Sequence, residues 1–283
     1  MSANVSTQNQ ETGYAKLNLA LHIRGRRPDG YHELETIFAF VDQGDIISVS
    51  PDRSLSLTIS GPFADGLDVT DNLVMSAAKI LQNEHDRPIG AKLHLVKNLP
   101  VASGIGGGSA DAAATMRLLN RHWALCFNQD ELERLAMPLG ADVPACIASN
   151  TVIGKGIGQD LLTIENDQLS DMHVLLANPL VGISTGEIFQ KWDGVDLGPL
   201  CSDDILQALS TGRNDLQPIA MAMEETIDPL LTALMSTNPI SAKMSGSGAT
   251  CFGIYHSRER AIDAESAIQS AIGNVWTMTG QLR

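Results

Sequence analysis

The chain has 283 residues, of which 43 % are hydrophobic and 18 % charged, and a formal net charge of −14. This length accommodates one large domain or two ordinary ones, and the composition is that of a soluble globular protein. The acidic surplus argues against a nucleic-acid or anionic-membrane partner, because both select clustered Lys and Arg; it leaves room for one anionic small molecule.

The N-terminal stretch MSANVSTQNQET is polar and lacks the apolar segment of a signal peptide, so the first dozen residues read as a loose tail. No apolar run approaches the ~20 residues of a membrane helix. The cysteines Cys126, Cys146, Cys201 and Cys251 show neither CxxC nor zinc spacing, which points to reduced thiols and a cytoplasmic location.

In chain order, YAKLNLALHI (14–23) alternates apolar and polar residues with period two and predicts a half-buried strand. Lys16 and Asn18 then share its polar face, about 6.6–6.8 Å apart. Pro28-Asp29-Gly30 is a turn signal. Strands are expected over 34–41, 45–50 and 55–59, a helix over 72–82 capped by Asp71, and a strand over 91–96. A glycine-rich run then leads into a helix over 109–122. A second helix, 130–139, stops at Gly140. The polar stretch 155–170 marks a change in character. Beyond it lie a strand at 173–177 and a helix through Trp192, opened by the capping box Ser184-Thr185-Gly186-Glu187. Helices follow near 202–210, 214–226 and 228–236, then strand (249–255), helix (257–272) and strand (274–279). The alternation predicts an α+β fold in two domains, 1–160 and 161–283.

The run SGIGGGSADAAA (103–114) carries the chemistry. A helix start offers unsatisfied N–H groups and about half a positive charge. Residues without side chains let an anion reach them. Gly104, Gly106, Gly107, Gly108 and Ser109 therefore read as a phosphate-binding segment. It is neither a dinucleotide turn, since Ser109 replaces the final Gly or Ala, nor a Walker P-loop, since G-x-x-x-x-G-K-[ST] is absent.

Three segments, AKLNLALHIRGRRPDGYHELETIF, LPVASGIGGGSADAAATMRLLN with GADVPACI, and KMSGSGATCFGIY, together resemble the three motifs of the GHMP small-molecule kinases over nearly the whole chain. The pair KLNL and RPDGYHEL narrows the resemblance to the branch acting on diphosphocytidyl-methylerythritol in non-mevalonate isoprenoid biosynthesis. It implies a ribosomal-protein-S5-like ATP-binding N-terminal domain and a ferredoxin-like C-terminal substrate domain. The implied reaction moves the γ-phosphoryl of ATP, accompanied by Mg²⁺, to the 2-hydroxyl of this cytidine diphosphate-linked sugar alcohol. A GHMP kinase of homoserine or mevalonate type, and a non-catalytic nucleotide-binding protein, are the alternatives. The oligomeric state is left open between monomer and weak homodimer, and the metal ligands are not assigned.

The resemblance implies a role for each matching residue. Asp142, which by itself reads equally as a helix N-cap before Pro144, becomes the catalytic base. Lys16, by itself a solvated strand lysine, becomes its cationic partner, with Asn18 on the substrate. ATP falls to Pro100, Val101, Ala102, Ser103, Gly104, Ile105, Gly106, Gly107, Gly108 and Ser109, with Lys97 and Asn72 on the adenosine side. Tyr31 and His32 read the cytidine, with Phe189 as the opposite ring and Thr185 nearby. Ser245, Gly246, Ser247 and Gly248 complete the substrate side. Asp111 fits no role: it suits a helix start but repels phosphate. The family's Gly-x-Gly-Glu is here Gly154-Lys155-Gly156-Ile157, so no role is attached to that loop.

Overall fold

In the computed structural model, residues 9–84, 89–164, 168–201 and 204–283 are described. The fold is mixed α+β with two sheets, and the chain divides into two compact units. Unit 1 comprises Met1–Ala15, Gly44–Val101 and Gly107–Ser149; unit 2 comprises Lys16–Gln43, Ala102–Gly106 and Asn150–Arg283. Two long strands, β1 (Gln10–Arg26) and β2 (His32–Asp52), pair with each other and run through both units.

In unit 1, β4 (Gly90–Val96) lies between β3 (Leu55–Ser60), which is parallel to it, and the Ile46–Asp52 half of β2, which is antiparallel. Four helices accompany these strands: α1 (Leu73–Asn83), α2 (Gly107–His122), α3 (Gln129–Ala136) and α4 (Val143–Ala148). Helix α2 is the centre of this layer. Ala110, Ala112, Ala113 and Ala114 are at most 2 % exposed, and their small side chains let α1 and α4 approach closely. Arg117 of α2 donates from Nη1 to the carbonyls of Cys146 (2.6 Å) and Ile147 (3.3 Å) at the end of α4. A cation there complements the helix dipole.

In unit 2, the Leu34–Phe38 half of β2 pairs with β5 (Val152–Gly156), which turns into β6 (Asp160–Thr163). A separate four-stranded antiparallel sheet has the order β10-β7-β9-β8. Its strands are β7 (His173–Asn178), β8 (Ser241–Met244), β9 (Cys251–Tyr255) and β10 (Trp276–Gln281). The helices of this unit are α5 (Thr185–Gln190), α6 (Ile205–Thr211), α7 (Gln217–Met223), α8 (Ile227–Ser236) and α9 (Arg258–Ala271). The core joins Leu175, Ala177 and Cys251 of the sheet to Leu230, Leu231 and Leu234 of α8 and Ala261, Ala264 and Ile268 of α9.

Several expectations are corrected. Strand β1 starts at Gln10, inside the expected tail; the rest of that tail, 1–8, lies outside the described residues. The two strands expected at 34–41 and 45–50 are one continuous β2. Helix α1 is capped by Asn72, whose side chain accepts from Val74 N at 2.9 Å, and not by Asp71; Asp71 sits one residue too early for its side chain to meet the free N–H groups. Helix α5 ends at Gln190, short of Trp192. The polar stretch after 150 conceals the β5–β6 hairpin, and β8, four residues with a lysine, gave no periodic signal. The helix near 202–210 is found as α6 behind an Asp204 cap; Ser202 and Asp203 lie outside the described residues.

The largest correction concerns β1. Lys16 and Asn18 are each 3 % exposed, as buried as Leu17 and Leu19. The polar face is covered by protein, not water, because two loops lie over it in unit 2. Among the described residues no helix is long and apolar enough to cross a membrane. The four cysteines are free thiols.

Candidate active site

In unit 2 the first covering loop is Ala102–Gly106. Lys16 N donates to Ile105 O (3.0 Å) and Thr250 N to Ser103 O (3.1 Å). Gly104 has φ +76, and a Cβ there would lie 2.4 Å from Ser245 O and 2.7 Å from Gly248 N, so this position needs glycine for both its conformation and its neighbours. Gly106, with φ +65, would place a Cβ 2.9 Å from Lys16 Cε. The bare backbone of the segment thus lies directly against the lysine stem.

The second covering loop is Ser245–Gly248. Ser245 Oγ accepts from Asn18 N (3.1 Å) and donates to Gly104 O (2.9 Å). Asn214, which sequence reasoning passed over, donates from Nδ2 to the carbonyls of Met244 and Gly246, both at 2.8 Å. Ser247 Oγ meets Thr185 Oγ1 at 2.9 Å. One polar chain orients the working face. Lys16 Nζ donates to Asn18 Oδ1 (3.1 Å), Asn18 Nδ2 to Thr36 Oγ1 (2.8 Å), and Thr36 Oγ1 to Ala20 O (2.7 Å). Since Asn18 Nδ2 is committed to Thr36, its carbonyl oxygen faces the ammonium. Lys16 Nζ also stands 4.3 Å from the centroid of the Phe38 ring, a cation–π contact that strengthens when desolvated.

A ring cluster occupies another part of unit 2. His32 packs on Phe189 with centroids 5.1 Å apart and on Trp192 edge-on at 5.5 Å. Phe189 is half-buried, whereas Tyr31 is 60 % exposed. Arg26 Nε donates to His32 Nε2 at 3.4 Å, and its Nη2 to the carbonyls of Gln190 and Trp192 at the end of α5. A ring nitrogen that accepts leaves Nδ1 to carry the proton. Burial, and then Arg26, pushes the His32 pKa down, so the ring is neutral at physiological pH. Arg26 and Trp192 left no sequence signal: one is a member of an arginine run, the other a lone aromatic past a helix.

In unit 1 the helix-forming end of the glycine segment starts α2. Gly108 faces the Leu73 side chain, next to the cap Asn72. Pro100 is buried and Val101 half-exposed. Lys97, expected on the adenosine side, is 3 % exposed and forms ion pairs with Asp45 (2.5 Å) and Asp111 (2.6 Å). Burial alone would lower its pKa, but Asp111 and Asp45 reverse this and hold it above the ordinary lysine value. Asp111, the residue without a role, is turned to this lysine. Asp142 occupies the N-cap position of α4 with helical backbone angles, and its side chain makes no capping bond there. Asp142 therefore stands at the N-cap position without its side chain capping the helix.

Among the described residues no group of three or more His, Cys, Asp or Glu side chains could hold a metal ion.

Residues 72–150 match the GHMP kinases N terminal domain, and residues 202–274 match the GHMP kinases C terminal domain. A 4-diphosphocytidyl-2-C-methyl-D-erythritol kinase of Sphingopyxis alaskensis is 43 % identical over 283 residues, covering 99 % of this chain and 100 % of that protein. The protein of the same name from Erythrobacter litoralis is 46 % identical, covering 96 % and 99 %. A crystal structure of 4-(cytidine 5'-diphospho)-2C-methyl-D-erythritol kinase superposes with TM-score 0.82 at 29 % identity, covering 96 % of this chain and 98 % of that one. Homoserine kinase from Cytophaga hutchinsonii shares the fold, with TM-score 0.71 at 14 % identity and coverage of 97 % and 94 %.

Proposed function

Because this chain belongs to the GHMP kinases, we propose that it transfers the γ-phosphoryl of ATP to the 2-hydroxyl of 4-diphosphocytidyl-2-C-methyl-D-erythritol, in the non-mevalonate route to isoprenoids. The observation that carries this reading is the 43–46 % identity, over 96–99 % of this chain, to kinases of that name. The homoserine-type likeness is of fold alone.

In this reading the segment Ser103–Ser109 receives the triphosphate on backbone N–H groups at the start of α2, with Pro100, Val101 and Ala102 leading in and Asn72 toward the adenosine, while the Lys97 ammonium is taken up by Asp45 and Asp111. Phosphoryl transfer passes through a loose transition state, so positioning and charge compensation outweigh covalent chemistry. Asp142 takes the hydroxyl proton as base. Lys16 offsets negative charge building on the transferring group; its stem is held against Gly106 and its head by Asn18, which supports a pre-set geometry. Ser245–Gly248 and Thr185 contact the acceptor alcohol. The neutral His32 with Phe189 and the exposed Tyr31 ring bind the cytosine, where an Nδ1–H donor meets a base acceptor. Mg²⁺ arrives as the metal–nucleotide complex, because it keeps its waters and is held chiefly by phosphates. The residues past about 160 form the substrate-side domain and those before it the ATP-side domain, and the enzyme acts in the cytoplasm on small molecules.

A coupled ADP-release assay tests the reading. Diphosphocytidyl-methylerythritol supports turnover while homoserine and mevalonate do not, and cytidine monophosphate competes with the acceptor. Asp142→Asn lowers kcat about 10²–10⁴-fold with KM little changed. Equal turnover of the three alcohols overturns the substrate; an unaltered kcat overturns the base.

A further inference from the structure

We propose that Asp45, Lys97 and Asp111 form a buried fastener that ties the two ends of the glycine segment together and so presets its phosphate-binding geometry. The proposal rests on the kinase reading, and within it on phosphate binding by that segment.

The three side chains are positioning residues that reach across the chain. Asp45, on β2, accepts at Oδ1 from Asn98 N (2.5 Å) and Leu99 N (2.8 Å), the residues by which the backbone enters the glycine segment. Its Oδ2 takes Lys97 Nζ (2.5 Å), and the same ammonium donates to Asp111 Oδ2 (2.6 Å) in α2, just beyond the segment's exit. One carboxylate on a sheet strand therefore holds the entry through two backbone bonds and the exit through a lysine. The side chains of Lys97, Asp45 and Asp111 are 4 %, 0 % and 5 % exposed, so water does not compete for these bonds. A Cβ on Gly107 would lie 3.1 Å from Lys97 Nζ, which places the fastener against the first residue of α2, where the free N–H groups are. A run of glycines has the largest conformational freedom to lose. Ordering its ends before ATP arrives removes that loss from the binding step.

One ammonium faces two carboxyl groups. Asp111 Oδ1 is buried, and no donor reaches it; a Cβ on Gly13 of β1 would lie 3.1 Å from it. An ionised oxygen left in such a place is costly, and a net negative charge under the segment repels phosphate. A proton on Oδ1 removes both penalties. Burial, countered by Lys97 and reinforced by Asp45, pushes Asp111 up to about 8. Those two groups, from β2 and from the end of β4, are the ionisable side chains acting on it. Below that pH the fastener is neutral; above it, Asp111 becomes an anion beneath the phosphates.

The test is calorimetric titration of ADP and adenosine into the full chain, Asp111→Asn and Asp45→Asn, from about pH 7 to 9.5, a window around the raised carboxyl. The parent binds ADP more tightly than adenosine, and this advantage shrinks about tenfold through the Asp111 titration as like charges are brought together. Asp111→Asn keeps the advantage at all pH values. Asp45→Asn, checked for folding by circular dichroism, loses about tenfold of it at pH 7 through lost preorganisation. A pH-independent advantage in the parent, or an unchanged one in folded Asp45→Asn, overturns the fastener. Equal affinity for ADP and adenosine in the parent instead overturns the phosphate reading beneath it. If Asp45→Asn does not fold, the parent against Asp111→Asn decides.

Discussion

Lys16 and Lys97 are each 3 % exposed, yet their surroundings differ in kind. Lys97 lies in unit 1 between two carboxyl groups. Lys16 lies in unit 2 against an amide oxygen, an aromatic face and the bare backbone of Gly106. An ammonium clamped by carboxyl groups at 2.5 and 2.6 Å is held in place and serves structure. The Lys16 ammonium is oriented by the Asn18 amide and packs on the Phe38 ring. In the proposed reading the same residue type, at the same burial, is a fastener in one region and a working charge in the other.

Four substitutions break or sharpen that contrast. The largest expected effect is on Lys97→Met, which leaves buried carboxyl groups uncompensated and costs about 3–5 kcal/mol of stability. Urea unfolding measures it, and an unchanged midpoint would show that the cluster contributes nothing to stability. Lys16→Met lowers kcat about 10²–10³-fold, the scale of losing one transition-state donor, and its loss appears mainly in steady-state rates. If its loss appeared chiefly as a lower unfolding midpoint, the contrast between the two lysines would disappear.

The third prediction concerns pH. Asp111 is raised from 3.8 to about 8 in the folded protein, so between those values the folded state keeps a proton that the unfolded chain releases. Its contribution to stability is complete below the unfolded value and declines as pH rises to about 8. Asp111→Asn removes that decline, so the variant gains on the parent steadily from about pH 4 to about pH 8. Thermal unfolding of both at several pH values reads the difference, and parallel curves would place the proton elsewhere. The smallest effect belongs to the ring cluster. Phe189→Ala weakens cytidine recognition by about 1–3 kcal/mol, seen as a higher KM for the acceptor with KM for ATP unmoved.

Much of the site was legible before any coordinates. The glycine segment announced a backbone approach to a helix start, and α2 begins at Gly107. The alternation in 14–23 placed Lys16 and Asn18 on one face, and they are hydrogen-bonded to each other. The environment of that face was not legible. Alternation reports which side chains share a side of a strand, but not whether water or a distant loop covers it; here Ile105 and Ser245 do so. The cap of α1 was misplaced by one residue because Asp71 and Asn72 are both good caps, and only backbone angles choose between them.

The chain's own order of residues determined most element types, the glycine segment before α2 and the family motifs, since these depend on local periodicity and on where side chains are missing. Only the tertiary structure decided which charges meet. Asp45 reaches Lys97 across 52 positions and Asp111 across 14. Burial and pairing energies arise from neighbours brought in by the fold, and spacing along the chain does not encode them.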